Sequence, residues 1–249
     1  MAGDLQDNQG RGEVPPGLPR IHPEGRKFGL AALGIALVLA WLAWETFAWP
    51  VAFLSLGIFA FFRDPERVVP QDERFIVSPA DGKVIQIKQV EPPRELTVDD
   101  GSGVDGLATE PVTRVSIFLS LLDVHINRTP IGGVVRRVVY VPGKFFNSDL
   151  DKASEDNERQ HILIERADGL KVGFTQIAGF VARRIVSFVK PGDTLGVGQR
   201  VGMIRFGSRV DIYLPAGTGS YVMVGQRVVA GETVIAAVGS QPLLEGVAQ

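Results

Sequence analysis

A mostly β chain of the α+β class is predicted, a barrel-sandwich-like β domain preceded by an N-terminal apolar helical hairpin. Three observations predict it. Short runs rich in Val and Ile recur between turn residues over most of the chain, one long apolar stretch near the N-terminus has no polar face, and amphipathic helical periodicity is scarce. At 249 residues there is material for one medium domain with an accessory segment.

Composition narrows the chemistry. A formal net charge of −2 gives no global basic field, so nucleic acid is not an expected partner. The absence of cysteine removes disulfides, thiolate metal sites and a Cys nucleophile together. Only three histidines are present, at positions 22, 125 and 161, too few for a His-rich metal centre, and no metal is expected.

In chain order, residues 1–27 are polar and rich in Gly and Pro, and read as a mobile tail that includes His22. From Phe28 to Phe62 the texture turns apolar, with Glu45 the only charge. A soluble helix would show a polar face, and this stretch has none. It reads as a membrane-associated helical hairpin, 28–62, whose two arms flank Glu45. Each arm is near the short limit of about 17–25 residues for crossing a bilayer, so spanning and re-entrant placements both stay open. Arg26 and Lys27 before the pair, with Arg63 and Arg67 after it, favour the cytoplasmic side of the cell membrane. Trp41, Trp44 and Trp49 cluster at the break, as expected of a bend at headgroup level. A core hairpin buried in protein is the competing reading.

Residues 63–249 have the strand texture. Asp81–Gly82 and Asp168–Gly169 are expected hairpin turns. Residues 91–110, acidic and Gly-rich, read as an exposed loop, and 121–128 and 148–159 as loop or short helix. "VGQRVGMI" at 197–204 echoes "VGQRVVAG" at 224–231, a Gly/Val rhythm found in barrel-sandwich domains.

That rhythm offers a plain reading for "GMIRFGSRVDIYLP", 202–215, where Gly207 and Ser208 interrupt a strand: a corner in a small barrel. The alternative is chemical. A serine hydroxyl can reach the carbonyl carbon of the peptide bond before it, and a preceding glycine leaves that carbonyl uncrowded. Attack converts amide to ester. Loss of the Cα proton then expels the Gly207 carboxylate, and hydrolysis of the resulting dehydroalanine releases ammonia and leaves a pyruvoyl group on residue 208. The chain is cut, and its new terminus carries an electron sink. No G-x-S-x-G elbow is present, which disfavours an ordinary serine hydrolase.

The steps need a base. His125 is the candidate, at the point where an apolar run gives way to polar residues, with a structural histidine as the plain alternative. Asp81 is the preferred partner to orient its ring, and Asp123 the second choice. His161 alternates with apolar residues and is expected on a strand face. Arg183, Arg184, Arg205 and Arg209 could hold a phosphate, but solvated strand-face arginines explain them equally well, and they are left outside the site.

Six stretches carry a family resemblance: "FFRDPER", "SPADGKV", "VSIFLSLLDVHINRTP", "VPGKFFNSDLDKASEDNER", "QIAGFVARRI" and "GMIRFGSRVDIYLP". In this order they resemble phosphatidylserine decarboxylase proenzymes of the short bacterial type, from about Ile21 to near 238. The resemblance implies self-cleavage between Gly207 and Ser208, a pyruvoyl cofactor made from Ser208, and Asp81 and His125 as its partners in cleavage. It implies catalytic-domain parts 63–207 (β chain) and 208–249 (α chain), held together as a heterodimer that is free to assemble further. It implies phosphatidylserine in the membrane as substrate, with phosphatidylethanolamine and CO2 as products. Longer relatives read Leu-Gly-Ser-Thr where this chain reads Phe206-Gly207-Ser208-Arg209, which leaves the role of Arg209 open. An archaetidylserine or related phospholipid decarboxylase is the alternative, and a non-catalytic membrane-tethered barrel-sandwich module that binds a partner, or carries a group on Lys83, is a third reading.

Overall fold

The computed structural model describes residues 17–97, 106–143, 157–179, 184–205, 208–242 and 244. The chain forms two compact units, a smaller one of Glu13–Glu66 with Leu121–Val124, and a larger one that includes Arg67–Ser120 and His125–Gln249.

The smaller unit holds strand β1 (Arg20–Ile21), helix α1 (Pro23–Trp41), helix α2 (Glu45–Phe61) and strand β2 (Arg63–Asp64), with β1 antiparallel to β2. Helix α1 begins at Pro23, five residues ahead of the apolar texture. Proline suits the first helical position, and the buried His22 ring caps the turn by accepting a 3.3 Å hydrogen bond at Nδ1 from the Glu24 N–H. His22 is therefore a cap and not part of a tail.

Gly25, Gly29, Ala32 and Ala36 recur at intervals of four, three and four, which lines them up on one buried face of α1. Their lack of bulk lets the rings of Phe59 and Phe62 lie against the helix, where a Cβ on Gly29 or Gly25 would collide with them. The Ser55 hydroxyl donates to the Gly29 carbonyl at 2.9 Å and ties the helices together. The reversal between them passes through Ala43 at φ +60°, at the bend expected near the tryptophans. The outer faces expose Leu37, Trp41, Phe47, Trp49, Phe53 and Leu56. Among the described residues no helix is long and apolar enough to cross a membrane.

The larger unit adds β3 (Phe75–Val77), β4 (Gly82–Val90), the short helix α3 (Arg94–Thr97), β5 (Val112–Leu119), β6 (Ile126–Arg128), β7 (Gly133–Val141), β8 (Arg159–Glu165) and β9 (Lys171–Ala178). It continues with β10 (Ile185–Ser187), β11 (Thr194–Leu195), β12 (Arg200–Ile204), β13 (Ser208–Tyr213), β14 (Arg227–Val228) and β15 (Val234–Ala237). An eight-stranded antiparallel sheet runs in the order β11-β7-β8-β9-β13-β5-β4-β14, with smaller sheets β10-β12-β6 and β15-β3. The chain is thus mostly β with an N-terminal helical pair, the predicted class.

Strand alternation sorts the large sheet into two faces. Val210, Ile212, Ile117, Leu119, Ile162 and Phe174 belong to one hydrophobic core shared with Ile76, Val201, Ile204 and Ile235 of the smaller sheets. The other face carries Arg209, Asp211 and Tyr213 of β13 beside Arg114 and Ser116 of β5.

The Asp168–Gly169 hairpin forms between β8 and β9, with Gly169 at φ +86° and Asp168 Oδ1 accepting from the Leu170 N–H at 3.1 Å. Asp81–Gly82 does not make a hairpin. β3 pairs with β15 whereas β4 pairs with β5 and β14, so the segment between them crosses from one sheet to another. Gly82, at φ +152°, is needed because a Cβ there would strike the Phe118 carbonyl oxygen. In the 121–128 stretch, residues 126–128 form β6 rather than loop or helix. Of the 148–159 stretch, residues 148–156 lie outside the described residues.

The sequence echo is a repeated turn. Gln199 Oε1 accepts from the Gly196 N–H at 2.6 Å, and Gln226 Oε1 from the Met223 N–H at 3.1 Å. Gly198 and Gly225 supply φ +74° and +95°, and strands β12 and β14 follow.

Candidate functional site

Ser208 opens β13 and is paired on both sides, with Leu119 of β5 and Ala178 of β9. It is fully buried, and its Oγ has no hydrogen-bond partner among the described residues. A buried unmade hydroxyl bond costs about 1–3 kcal/mol. Such a cost calls for an explanation, and a catalytic role is one. Gly207, the other half of the expected cut, lies outside the described residues.

The histidine segment follows the strand that pairs with Ser208. β5 ends at Leu119 opposite Ser208, and β6 begins directly after His125. Ile126 of β6 pairs with Met203 of β12, and the His125 carbonyl accepts from the Ile204 N–H at 3.3 Å, four residues before Ser208. His125 is 1 % exposed. Asp123 falls in the smaller unit with Leu121–Val124.

Asp81 sits in the crossover between sheets, in a segment fixed by backbone bonds. The Ser78 carbonyl accepts from Gly231 N–H at 2.8 Å, and the Pro79 carbonyl from Arg128 N–H at 2.9 Å, three residues beyond His125. The Asp81 carboxylate accepts from Arg67 Nη2 at 2.7 Å and from the Ala230 N–H at 2.8 Å. Arg67 lies in the "FFRDPER" motif, so a residue matched by resemblance grips one nominated by chemistry.

A chain of buried amides shares the Ser208 face of the sheet. Gln160 Nε2 donates to Gln176 Oε1 at 3.0 Å, and Gln176 Nε2 donates to Asn127 Oδ1 at 2.7 Å. Gly202, opposite Asn127 in the register, leaves room for the Gln176 side chain. Lys83, the one residue suited to a carrier role, is the second residue of β4 and not a hairpin tip.

The arginines divide. Arg183 lies outside the described residues, and Arg184 is exposed. Arg209 is not a solvated strand-face residue. It is 1 % exposed and makes bonds from Nε and Nη2 to the fully buried Asp211 at 2.6 and 3.0 Å, with a third to Ser116 Oγ at 2.9 Å. The R-V-D spacing was the available signal, since residues two apart on a strand share a face.

His161 occupies a buried strand position on that second face, as its alternation implied, with Nδ1 2.8 Å from Thr175 Oγ1. It lines a cavity of about 510 Å³ with Lys88, Glu95, Arg114, Arg159 and Tyr213. Burial pushes its pKa down to about 4, against the attraction of the Glu95 carboxylate 3.8 Å away. A depressed histidine favours the fold in its neutral form, so stability is full above pH about 6.5 and falls as pH drops towards 4. The urea midpoint is expected to fall over that window, and less steeply in His161→Gln. Equal slopes would show that another group titrates.

The sequence model described as phosphatidylserine decarboxylase matches residues 54–236. A phosphatidylserine decarboxylase proenzyme of Novosphingobium aromaticivorans is 66% identical over 249 residues, covering 100% of this chain and 99% of the relative. One from Erythrobacter litoralis is 67% identical over the full length of both, and one from Zymomonas mobilis is 54% identical over 90% of this chain and 89% of its own.

Proposed function

Because the chain belongs to the phosphatidylserine decarboxylase family, we propose that it is made as a proenzyme, cuts itself between Gly207 and Ser208, and decarboxylates phosphatidylserine to phosphatidylethanolamine and CO2. The observation that carries the reading is the Ser208 hydroxyl, fully buried and without a partner among the described residues, on the first residue of a strand held from both sides. A buried hydroxyl with few competing bonds is a better nucleophile once a base takes its proton.

In cleavage His125 is the base that takes that proton, and Asp81 orients the imidazole. Asp81 is itself immobilised by Arg67 and the Ala230 N–H, which supports an orienting role. The C–N bond breaks as the ester C–O bond forms. Elimination then sends the electron pair of the Cα–H bond to release the Gly207 carboxylate, and one water replaces one ammonia at residue 208. The product is a pyruvoyl group, a ketone conjugated to an amide carbonyl, which supplies an electron sink for the bond that breaks in decarboxylation. Residue 208 fits that group, since its position is enclosed. During decarboxylation His125 supplies the proton that replaces CO2 on the headgroup carbon. The two fragments, 1–207 and 208–249, stay associated because β13 lies in the middle of the sheet, between β5 and β9.

The helical pair is the proposed membrane contact, on the cytoplasmic face of the cell membrane. Its exposed Leu, Phe and Trp side chains suit the boundary between headgroups and acyl chains, where the substrate lies. Replacing Leu37 and Leu56, both exposed, by Asp is expected to lower flotation with phosphatidylserine liposomes by about tenfold and leave self-cleavage intact. Unchanged flotation would remove the helices from this role.

The deciding experiment is an intact mass spectrum under denaturing conditions. Two fragments divided after Gly207, the smaller one lighter by one ammonia than a peptide beginning with Ser208, are expected. A single full-length mass from active protein would overturn the self-cleavage and pyruvoyl mechanism.

A further inference from the structure

Arg209 and Asp211 are both enclosed within the sheet, on the face opposite Ser208 and the hydrophobic core. Burying two charges is expensive, and well-packed apolar residues of similar volume are often as stable or more so. Stability alone therefore accounts poorly for this pair. Its placement suggests another use. The guanidinium holds the Asp211 carboxylate through two nitrogens and reaches across to Ser116 Oγ on β5, while Arg114 approaches Asp211 at 3.9 Å. The bonds fix β13 to its neighbour one residue beyond Ser208.

Cutting the chain before residue 208 turns an interior strand position into a chain terminus, and termini fray unless tied down. From the self-cleavage reading above, we infer that the Arg209–Asp211–Ser116 cluster is a positioning device that keeps residue 208 in register after the cut. Arg209 and Asp211 do not touch the substrate. They act through the backbone of residue 208, from the far face of the sheet. Alignment of a reacting group within about 1 Å can be worth about a hundredfold in rate, so a lock on its immediate neighbour has a kinetic effect as well as a structural one. The i, i+2 ion pair lies within the short fragment and its bond to Ser116 joins that fragment to the long one, so the cluster survives the cut.

The test compares the wild-type protein with Arg209→Met/Asp211→Leu, which replaces the ion pair by apolar groups, and with Arg209→Lys, which keeps the charge and loses the planar fork. Each is followed by intact mass, thermal unfolding, kcat and KM on phosphatidylserine vesicles, and amide exchange at residues 209 and 210. The double variant is expected to stay folded, with kcat lower by about tenfold, KM within about twofold and amide exchange faster by about tenfold. Arg209→Lys is expected to lie between it and the wild type. Wild-type kcat and exchange in either folded variant would overturn the inference while leaving self-cleavage untouched. An uncut wild-type chain would instead remove the reading on which it rests.

Discussion

Ser208→Ala is expected to give a folded chain that stays in one piece and has no decarboxylase activity above background. Alanine removes the only atom able to attack the preceding carbonyl, so neither the ester nor the ketone derived from it can form. The expected loss is at least about 10⁴-fold, the scale seen when a nucleophile acting with its partners is removed. The same substitution should not weaken the fold. The Ser208 Oγ is buried and has no partner among the described residues, and deleting it relieves an unmet hydrogen bond without opening much space. Thermal unfolding should therefore be unchanged or shifted slightly upward. A cut and active Ser208→Ala protein would refute the assignment. A strong loss of stability would show that the hydroxyl has a structural bond.

His125→Ala is the second. Loss of a positioned general base costs about 10²–10⁴-fold, so uncut chain should accumulate in place of the two fragments. Because His125 is buried, cavity formation could mimic a chemical defect. His125→Gln, closer in volume, separates the two: it should fold with near wild-type stability and remain uncut. Processing of either variant at the normal rate would remove His125 from cleavage. The decarboxylation role is then open to a separate check in protein that has already been cut, by measuring proton incorporation into the product headgroup.

Both nominations could be made from the sequence because the candidates are few. With no cysteine and three histidines, general-base chemistry had little choice, and Gly207–Ser208 stood out against the texture of its strand. The helical pair was legible for a similar reason, since hydropathy over thirty-odd residues is a local property. Its start was not, because the cap is made by His22, which lies ahead of the apolar run in a segment rich in Gly, Pro and charge. The hairpin at Asp168–Gly169 could be read from its dipeptide, whereas the same dipeptide at 81–82 serves a crossover. A dipeptide encodes a backbone bend, and which strands the bend joins depends on pairings far away in the chain.

The sequence by itself determined the class of fold, the apolar pair and the small set of residues able to do chemistry, all of which follow from residue type and near-neighbour spacing. The tertiary structure decided what surrounds those residues. Arg67 on Asp81, the amide chain from Gln160 to Asn127, and the burial of Arg209 against Asp211 and Ser116 all join strands or loops whose adjacency is set by sheet order. Periodicity tells which residues share a face of a strand. Whether that face meets water, a core or an opposing charge is settled only when the other strands are in place, and that is what makes Ser208 a buried serine whose hydroxyl has no partner among the described residues.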